Sequence, residues 1–466
     1  MKRWLIMNVK LIFMPALLDE GIFERLYVPP MSIYLLATIA RENGINVSII
    51  DPCEFIQFEY ENNYMEQCGE YIIESIRNMD AIAFSANSFN WGITRKMIEY
   101  IKCIYKDIPI IVGGLHPTYF DYHILKTTKV DYILRGEGEE SFPTLLKAIY
   151  SKDKIEEIKG VSYIKNGEIL RTPDREMLSS EELSKYPLPD FSLIPEDNQY
   201  SQIPIESSRG CPFCCCFCSI PNRRHWAHYT EEQVLKQIDN AIKTSSIKYN
   251  DYFLFVDDCF TINGDRAKYI LNTLYEKYQG KKKFFIEARI SNIIESDIFQ
   301  SINTDILHGL QIGVECGYDE GLKKVNKKLT IQQLYEGIDI LDKQGLTKRC
   351  MLSFIIGFPW ETEDEINQTL HTIEDISRKY GVFCNLNWLI YLPSKLWNRR
   401  YKDNIYVDEE IFDNPIWLAD RELFFKVHPK ISPEIVDHVE KKCIKFKEEK
   451  LNIDYYSPFY KKHENI

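Results

Sequence analysis

The stretch from Ser207 to Trp226, SSRGCPFCCCFCSIPNRRHW, places five cysteines within eight residues, Cys211 to Cys218. Cys211, Cys214, Cys215 and Cys218 form two C-x-x-C pairs, the elements of a zinc site, but the pairs abut where zinc sites normally separate them by a long loop. A purely structural role is a poor use of the same residues, because clustered thiols near the surface oxidise. Cys211, Cys215 and Cys218 read instead as C-x-x-x-C-x-x-C. Three thiolates can hold three irons of a cubane cluster and leave the fourth iron open. Four-cysteine clusters carry electrons; an open metal position is what separates catalytic from structural zinc sites. An open iron can bind a substrate and reduce it. Cys214 and Cys216 then lie outside this spacing.

With Phe217 as the aromatic residue of C-x-x-x-C-x-aromatic-C, SRGCPFCCCFC resembles the radical S-adenosylmethionine (SAM) enzymes, and closely their cobalamin-associated class. The resemblance implies a [4Fe-4S] cluster on Cys211, Cys215 and Cys218. Its open iron chelates SAM, and one electron cleaves the sulfonium bond to give a 5′-deoxyadenosyl radical. Four further motifs follow in order. FVDDCF sets Asp257 and Asp258 at a strand end, where carboxylates can accept from an ammonium or a ribose; a helix N-cap is the alternative for one of them. EARI ends a strand with Glu287 and Arg289, and Arg289 can pair with the SAM carboxylate. IGVECGYDE resembles the family's GxESG stretch: Gly313 allows close approach, Glu315 sits by the sugar, and Cys316 replaces the usual Ser. FIIGFPWETEDE, with Gly357 and Pro359, resembles GxPGET, with Trp360 where Gly is common. With Phe217, these are the expected SAM-binding residues. No general acid or base stands out, so catalytic residues are left unassigned.

These motifs need strand ends to carry them. From Ile203 the sequence alternates strand patterns (DYFLFVDD, KKFFIEARI, HGLQIGVE, RCMLSFIIGFP, FCNLNWLIYLP) with helical stretches near 230–244, 264–279, 330–344 and 363–380. This fits a partial or full (β/α) barrel, whose chemistry lies where strands end. The first part also alternates. LIMNVKLIFM, NVSIID, AIAFSA, IPIIVGG and VDYIL read as strands, with helices at Ser32–Gly44 and near 66–78, 91–106 and 139–150. The expected fold class is therefore α/β: an N-terminal doubly wound parallel sheet, the barrel, and a short C-terminal extension. VSYIKNGEILRTP reads as a hairpin turning at Asn166-Gly167, followed by the proline-punctuated YPLPDFSLIP. The expected domains are 1–150, a hairpin and linker over 151–200, the barrel over 201–395, and an extension over 396–466 that helps shape the substrate side and contains a helix from Pro433 to Lys450.

IIVGGLHPT and VDYILRGEGEESFPTLL resemble the cobalamin-binding domain fused to many radical SAM enzymes, a Rossmann-like sheet. The resemblance implies cobalamin near Gly113, Gly114, His116, Glu137 and Gly138, held over the open end of the barrel. The D-x-H-x-x-G motif that supplies a lower-face histidine is incomplete. Asp121-x-His123 is present, but Lys126 stands where Gly is needed, and His123 reads as an ordinary surface histidine. A methylthiotransferase would need a second three-cysteine cluster, for which Cys53, Cys68 and Cys103 are poorly spaced. Cys53, Cys68, Cys103, Cys350 and Cys443 read as buried apolar thiols in a reducing cytosol.

The 466 residues exceed one compact domain, and 57 basic against 69 acidic residues give a net charge of −12. That argues against nonspecific nucleic-acid binding. The opening MKRWLIMNVKLIFMPALL is interrupted by Asn8 and Lys10 and reads as a first strand, not as a leader or a membrane span. A cytoplasmic enzyme is expected. It would act on a small metabolite or natural product, most plausibly by methyl transfer to an unactivated carbon, with an external reductant of the flavodoxin or ferredoxin type. Radical cyclisation, oxidation or rearrangement is the alternative reaction. An iron–sulfur redox or sensing protein is the non-enzymatic one, and the expected SAM motifs count against it.

Overall fold

A computed structural model describes residues 7–220, 224–248 and 251–457 of the chain. The first six residues of the expected leading strand and Pro221–Arg223 of the cysteine stretch lie outside them. The chain divides into two units. One is 1–203 with 237–250 and 408–417; the other is 204–236, 251–407 and 418–466.

The first unit is built on β1 (Asn8–Ile12), β2 (Asn46–Ile50), β3 (Ala81–Ser85), β4 (Ile110–Gly113) and β5 (Tyr132–Leu134). They are parallel in the order β2-β1-β3-β4-β5. Both faces are covered by helices, so the strands read as continuous apolar runs; β3 is buried at every position. This order reverses between β1 and β3, and the carboxyl ends flanking such a reversal form a ligand crevice. The predicted hairpin, β6 (Val161–Lys165) and β7 (Glu168–Arg171), adds two antiparallel strands to the sheet. Asn166 and Gly167 take φ of 54° and 82°, as a type I′ turn demands.

The helix from Leu115 to Thr127 has no counterpart in the sequence reading. Phe120 leaves helical geometry at φ −125° and kinks it, so no clean apolar period marks it. The other four helices match the expected ones within a few residues: Met31–Glu42, Tyr64–Ser75, Trp91–Ile104 and Ser141–Ser151.

The second unit carries β8 (Ile203–Ile205), β9 (Tyr252–Phe255), β10 (Lys283–Ala288), β11 (Leu307–Glu315), β12 (Cys350–Ile356), β13 (Phe383–Trp388) and β14 (Ile453–Tyr456). Spatial order equals chain order, and β9 through β14 are parallel. Among the described residues the first and last strands do not pair, so the barrel is partial. Helices Gly264–Tyr278, Ile331–Lys343 and Glu363–Tyr380 fall where the sequence places them, as does Glu231–Thr244, whose residues from 237 on belong to the first unit, and Pro433–Glu448 forms the helix expected near the end. The strand β14 is new: four residues, IDYY, with no alternation long enough to signal it. Strands β12 and β13 alternate strictly. Cys350, Leu352, Phe354 and Ile356 are buried, as are Cys384, Leu386 and Trp388, while the intervening side chains face a partly open side.

Two expectations need correction. Of the five cysteines read as buried thiols, Cys68, Cys350 and Cys443 are buried, Cys53 is half-buried and Cys103 is exposed. Nor is the extension all of one unit: residues 408–417 belong to the first. Among the described residues no helix is long and apolar enough to cross a membrane.

Candidate functional site

The cysteine loop is closed at its base by a short antiparallel ladder, Ser208–Arg209 against Ala227–His228. Its backbone is pinned further in. The Cys216 amide donates to Val325 O (3.0 Å), Leu396 N donates to Cys216 O (3.0 Å), and Arg224 N donates to Cys211 O (2.8 Å). Asn326 Nδ2 reaches Cys214 O at 3.1 Å. Cys215 is buried, and Cys211 and Cys218 are half-buried. Burial pushes the Cys211 thiol up, while the charge of Arg289 works the other way. Burial pushes the Cys216 thiol up to about 11. Cys214 lies 2.9 Å from Lys395 Nζ, which holds its thiol below the usual range.

Asp257 is 2% exposed and fully engaged. It accepts from Ser207 N (2.7 Å), Ser207 Oγ (2.6 Å) and Ser208 Oγ (2.5 Å). Arg266 donates to Ser207 Oγ and O and to Tyr229 O from the other side. The expectation that Asp257 meets a ligand is therefore corrected: it ties the end of β9 to the root of the cysteine loop. Asp258 is the open member of the pair. Burial and the neighbouring Asp257 raise its carboxyl to about 6, against the pull of the Gly210 amide.

Arg289 follows β10. Its guanidinium lies over the Phe213 ring of the cysteine loop, one Nη donates to the Lys327 carbonyl, and its buried Nε has no partner. Glu287, on the same strand, is pushed up to about 7, first by burial and then by Asp258. Glu315, at the end of β11, takes φ of 78° and pairs with Lys327 Nζ at 2.7 Å. A side chain at Gly313 would collide with this pair, 2.9 Å from Lys327 Nζ. So Gly313 makes room for the protein's own ion pair, not for a ligand as expected. A non-glycine residue held in this backbone region stores strain of the kind that clusters at functional sites.

After β12, Gly357 at φ 84° starts a turn whose amides, Gly357 N and Phe358 N, donate to Glu361 Oε2 at 2.7 and 3.0 Å. Glu361 is wholly buried, and burial raises its carboxyl to about 7 although Tyr318 also donates to it. The turn holds Pro359 buried and sets Phe358 edge-on to Phe217, centroids 5.9 Å apart. Cys211, Cys215, Cys218, Phe217, Asp258, Arg289, Glu315 and the Gly357 turn thus share the loops that follow the strands of one sheet.

In the first unit, Gly114 needs φ of 104°, and a side chain there would strike the backbone of Ala86. Its freedom serves close packing of the loops after β3 and β4. Gly138 abuts Leu36, and Glu137 accepts from Leu178 N at 2.6 Å. His116 is wholly buried, stacked on Trp91 (5.1 Å, 20°) and flanked by Phe120 and Phe412. Burial lowers its pKa to about 3, so it is neutral. It faces this aromatic core, not an open ligand surface. The surface reading of His123 is also corrected. It is 8% exposed, and its Nε2 lies 2.9 Å from Asp413 Oδ2. Asp121 is likewise internal, bonded to Ser162, Arg171 and Arg135.

Family models match both halves: a B12 binding domain over residues 25–146 and the radical SAM superfamily over 205–373. The chain belongs to the radical SAM superfamily and carries a B12-binding domain ahead of its radical SAM domain. It is 26% identical over 385 residues to an uncharacterised methyltransferase of Pyrococcus horikoshii, covering 81% of this chain and 79% of the relative. It is 25% identical to an anaerobic magnesium-protoporphyrin IX monomethyl ester cyclase of Rubrivivax gelatinosus, covering 64% of this chain and 54% of that one. Its fold resembles the radical SAM methyltransferase TsrM of Kitasatospora setae, solved with cobalamin and a [4Fe-4S] cluster (TM-score 0.66, 15% identity, 87% of this chain and 76% of that chain).

The donor set of this radical SAM protein fits the expected cluster: three thiols on one pinned loop, beside a buried arginine nitrogen that lacks a partner. Among the described residues no three His, Cys, Asp or Glu side chains converge on a single-ion site. Cubane ligands each hold a separate iron and stand farther apart than that. Four supporting residues escaped the sequence reading. Arg266 carries no motif signal; Tyr318 and Glu361 lie inside quoted motifs, and Lys327 closes the stretch that continues IGVECGYDE, without any of the three having been selected.

Proposed function

We propose that this radical SAM protein transfers a methyl group to an unactivated carbon of a small metabolite or natural product. The observation that carries the proposal is the pinned three-thiol loop, whose Phe213 ring lies under an Arg289 guanidinium with an unpaired Nε, in a chain that also has a B12-binding domain. Cys211, Cys215 and Cys218 would hold the cluster. Arg289 would bind the SAM carboxylate, and Asp258 would accept from its ammonium. Glu315 would face the ribose with the oxygen that Lys327 leaves free. Phe217, Gly357 and Pro359 would frame the adenine end. The crevice between β1 and β3, with Gly113, Gly114, Glu137 and Gly138 on neighbouring loops, would hold cobalamin, while His116 supports it from the core.

When bound, the cluster supplies the electron that splits SAM, and cobalamin supplies a methyl carrier. The chain's own task is to orient these groups and keep water from reactive carbon. No residue of the site needs to act as a base. A cytoplasmic setting and a flavodoxin- or ferredoxin-type reductant complete the proposal. The resemblance to a P. horikoshii methyltransferase supports methyl transfer; the resemblance to a cyclase supports radical cyclisation as the second reading.

The test is anaerobic incubation of the iron-loaded protein with SAM and dithionite. Methionine and 5′-deoxyadenosine should form. Protein with a full complement of iron that leaves SAM intact would overturn the radical reading in favour of an iron–sulfur carrier or sensor.

A further inference from the structure

Four polar side chains on the partly open face of the second sheet play no part in the site described above. Strand register puts Gln311 beside Met351, Gly313 beside Ser353, Ser353 beside Asn385, and Asn387 beside Ile355. In a parallel sheet, registered neighbours share a face and stand roughly 4.8 Å apart. Gln311, Ser353, Asn385 and Asn387 therefore form one polar patch across β11, β12 and β13. Their flanking residues, Leu310, Ile312, Leu352, Phe354, Leu386 and Trp388, are buried on the opposite face.

All four are half-buried, and none has a hydrogen-bond partner among the described residues. Asn385 Oδ1 is fully buried and unsatisfied. Polar groups shielded from bulk water are ordinarily bonded, and each exception calls for a ligand or an ordered water. Three amides and a hydroxyl offer donors and acceptors together and carry no charge. The patch is also flanked by carboxyls. Register places Glu287 next to Gln311 and Asp454 next to Asn385. Lys327, whose Nζ lies beside Gly313, is already paired with Glu315.

We propose that Gln311, Ser353, Asn385 and Asn387 bind the neutral, hydrogen-bonding portion of the substrate, its amide, carbonyl or hydroxyl groups. This rests on the reading that the reaction takes place at the strand ends of this same sheet. Asp454, joined by Glu287 when it is ionised, disfavours a phosphate or carboxylate at this position. A purely hydrocarbon portion would leave the amides unsatisfied.

Fluorine NMR on full-length, cluster-loaded protein tests this with two probes of equal size, trifluoroacetamide and trifluoroacetate. The amide should broaden with wild type, and its affinity should fall at least fivefold in Asn385→Leu and in Ser353→Ala. The acetate should not broaden. The SAM dissociation constant should change less than twofold in both variants. The melting temperature of Asn385→Leu without ligand should rise, since the buried, unpaired amide oxygen is replaced by an apolar group of similar size. Equal amide binding by wild type and variants, or preference for the acetate, would overturn the proposal. So would a parallel tenfold loss of SAM affinity, which would make the patch part of the SAM site. If Asn385→Leu does not fold, Ser353→Ala and Asn387→Leu decide the matter by the same readouts. Wild type that binds the amide but never cleaves SAM would sink the radical reading and leave this one standing.

Discussion

The guanidinium of Arg289 lies 3.8 Å from the centre of the Phe213 ring, fastening the end of β10 to the cysteine loop. The contact uses the flat face of the cation and leaves Nε unpaired. Lysine cannot reproduce the stack or the planar fork. Arg289→Lys should weaken SAM binding about tenfold or more, since a hydrogen bond to a charged group contributes about 1.5–3 kcal/mol. Equilibrium dialysis with labelled SAM measures this, and iron content should stay unchanged. An unaltered dissociation constant would remove Arg289 from the SAM site.

The ligand assignment separates five neighbouring thiols. Cys211→Ala, Cys215→Ala or Cys218→Ala should each lose most of the iron of anaerobically purified protein and all SAM cleavage. Cys214→Ala and Cys216→Ala should keep about four irons per chain, as a cubane requires. If Cys214→Ala abolishes cleavage and Cys215→Ala does not, the spacing has been assigned to the wrong residues.

Glu361 gives the second unit a pH dependence of defined sign. Burial raises its carboxyl to about 7, so between the ordinary carboxyl range and pH 7 the folded protein holds a proton that the unfolded chain releases. Stability from this group is full at low pH and falls as pH rises through about 7. Glu361→Gln keeps an acceptor for Gly357 N and Phe358 N, and its amide N–H can donate to the Tyr318 hydroxyl, which donates in the wild type. It should flatten the loss of melting temperature between pH 5.5 and 8. A wild type more stable at pH 8 than at pH 5.5, with the difference removed by the substitution, would contradict this.

In the first unit, Asp413 accepts from Trp91 Nε1 (2.8 Å), His123 Nε2 (2.9 Å) and Arg95 (2.9 Å). Asp413→Ala should cost about 1–3 kcal/mol in chemical denaturation, because three polar groups lose their partner. His123 is thereby occupied, so reduced Co(II) protein should show no histidine nitrogen coupling in its EPR spectrum. His123→Ala should leave that spectrum unchanged. Coupling that vanishes with His123 would place this histidine on cobalt.

The cysteine loop was legible because its chemistry is written in consecutive residues, the strands of the first sheet because burial on both faces gives apolar runs, and β12 and β13 because buried and partly open positions alternate. Side-chain commitments were not. Asp257 and Asp258 look alike in sequence, and only the fold shows Asp257 spent on Ser207 and Ser208. Gly114 and Gly313 could be read as making room, but not for what: one clears the Ala86 backbone, the other the Glu315–Lys327 pair. The helix at Leu115–Thr127 escaped because its kink at Phe120 breaks the period. His123 looked like a surface residue because its partner lies 290 residues away.

The central claim is methyl transfer, and methyl-deuterated SAM tests it most directly. Cluster- and cobalamin-loaded protein is incubated anaerobically with reductant and a small-molecule extract, and the products are followed by mass spectrometry. The account predicts a product that gains the deuterated methyl, with S-adenosylhomocysteine and 5′-deoxyadenosine formed in equal amounts. A product that forms together with 5′-deoxyadenosine, but without the label and without S-adenosylhomocysteine, would contradict it and establish the cyclisation or oxidation reading instead.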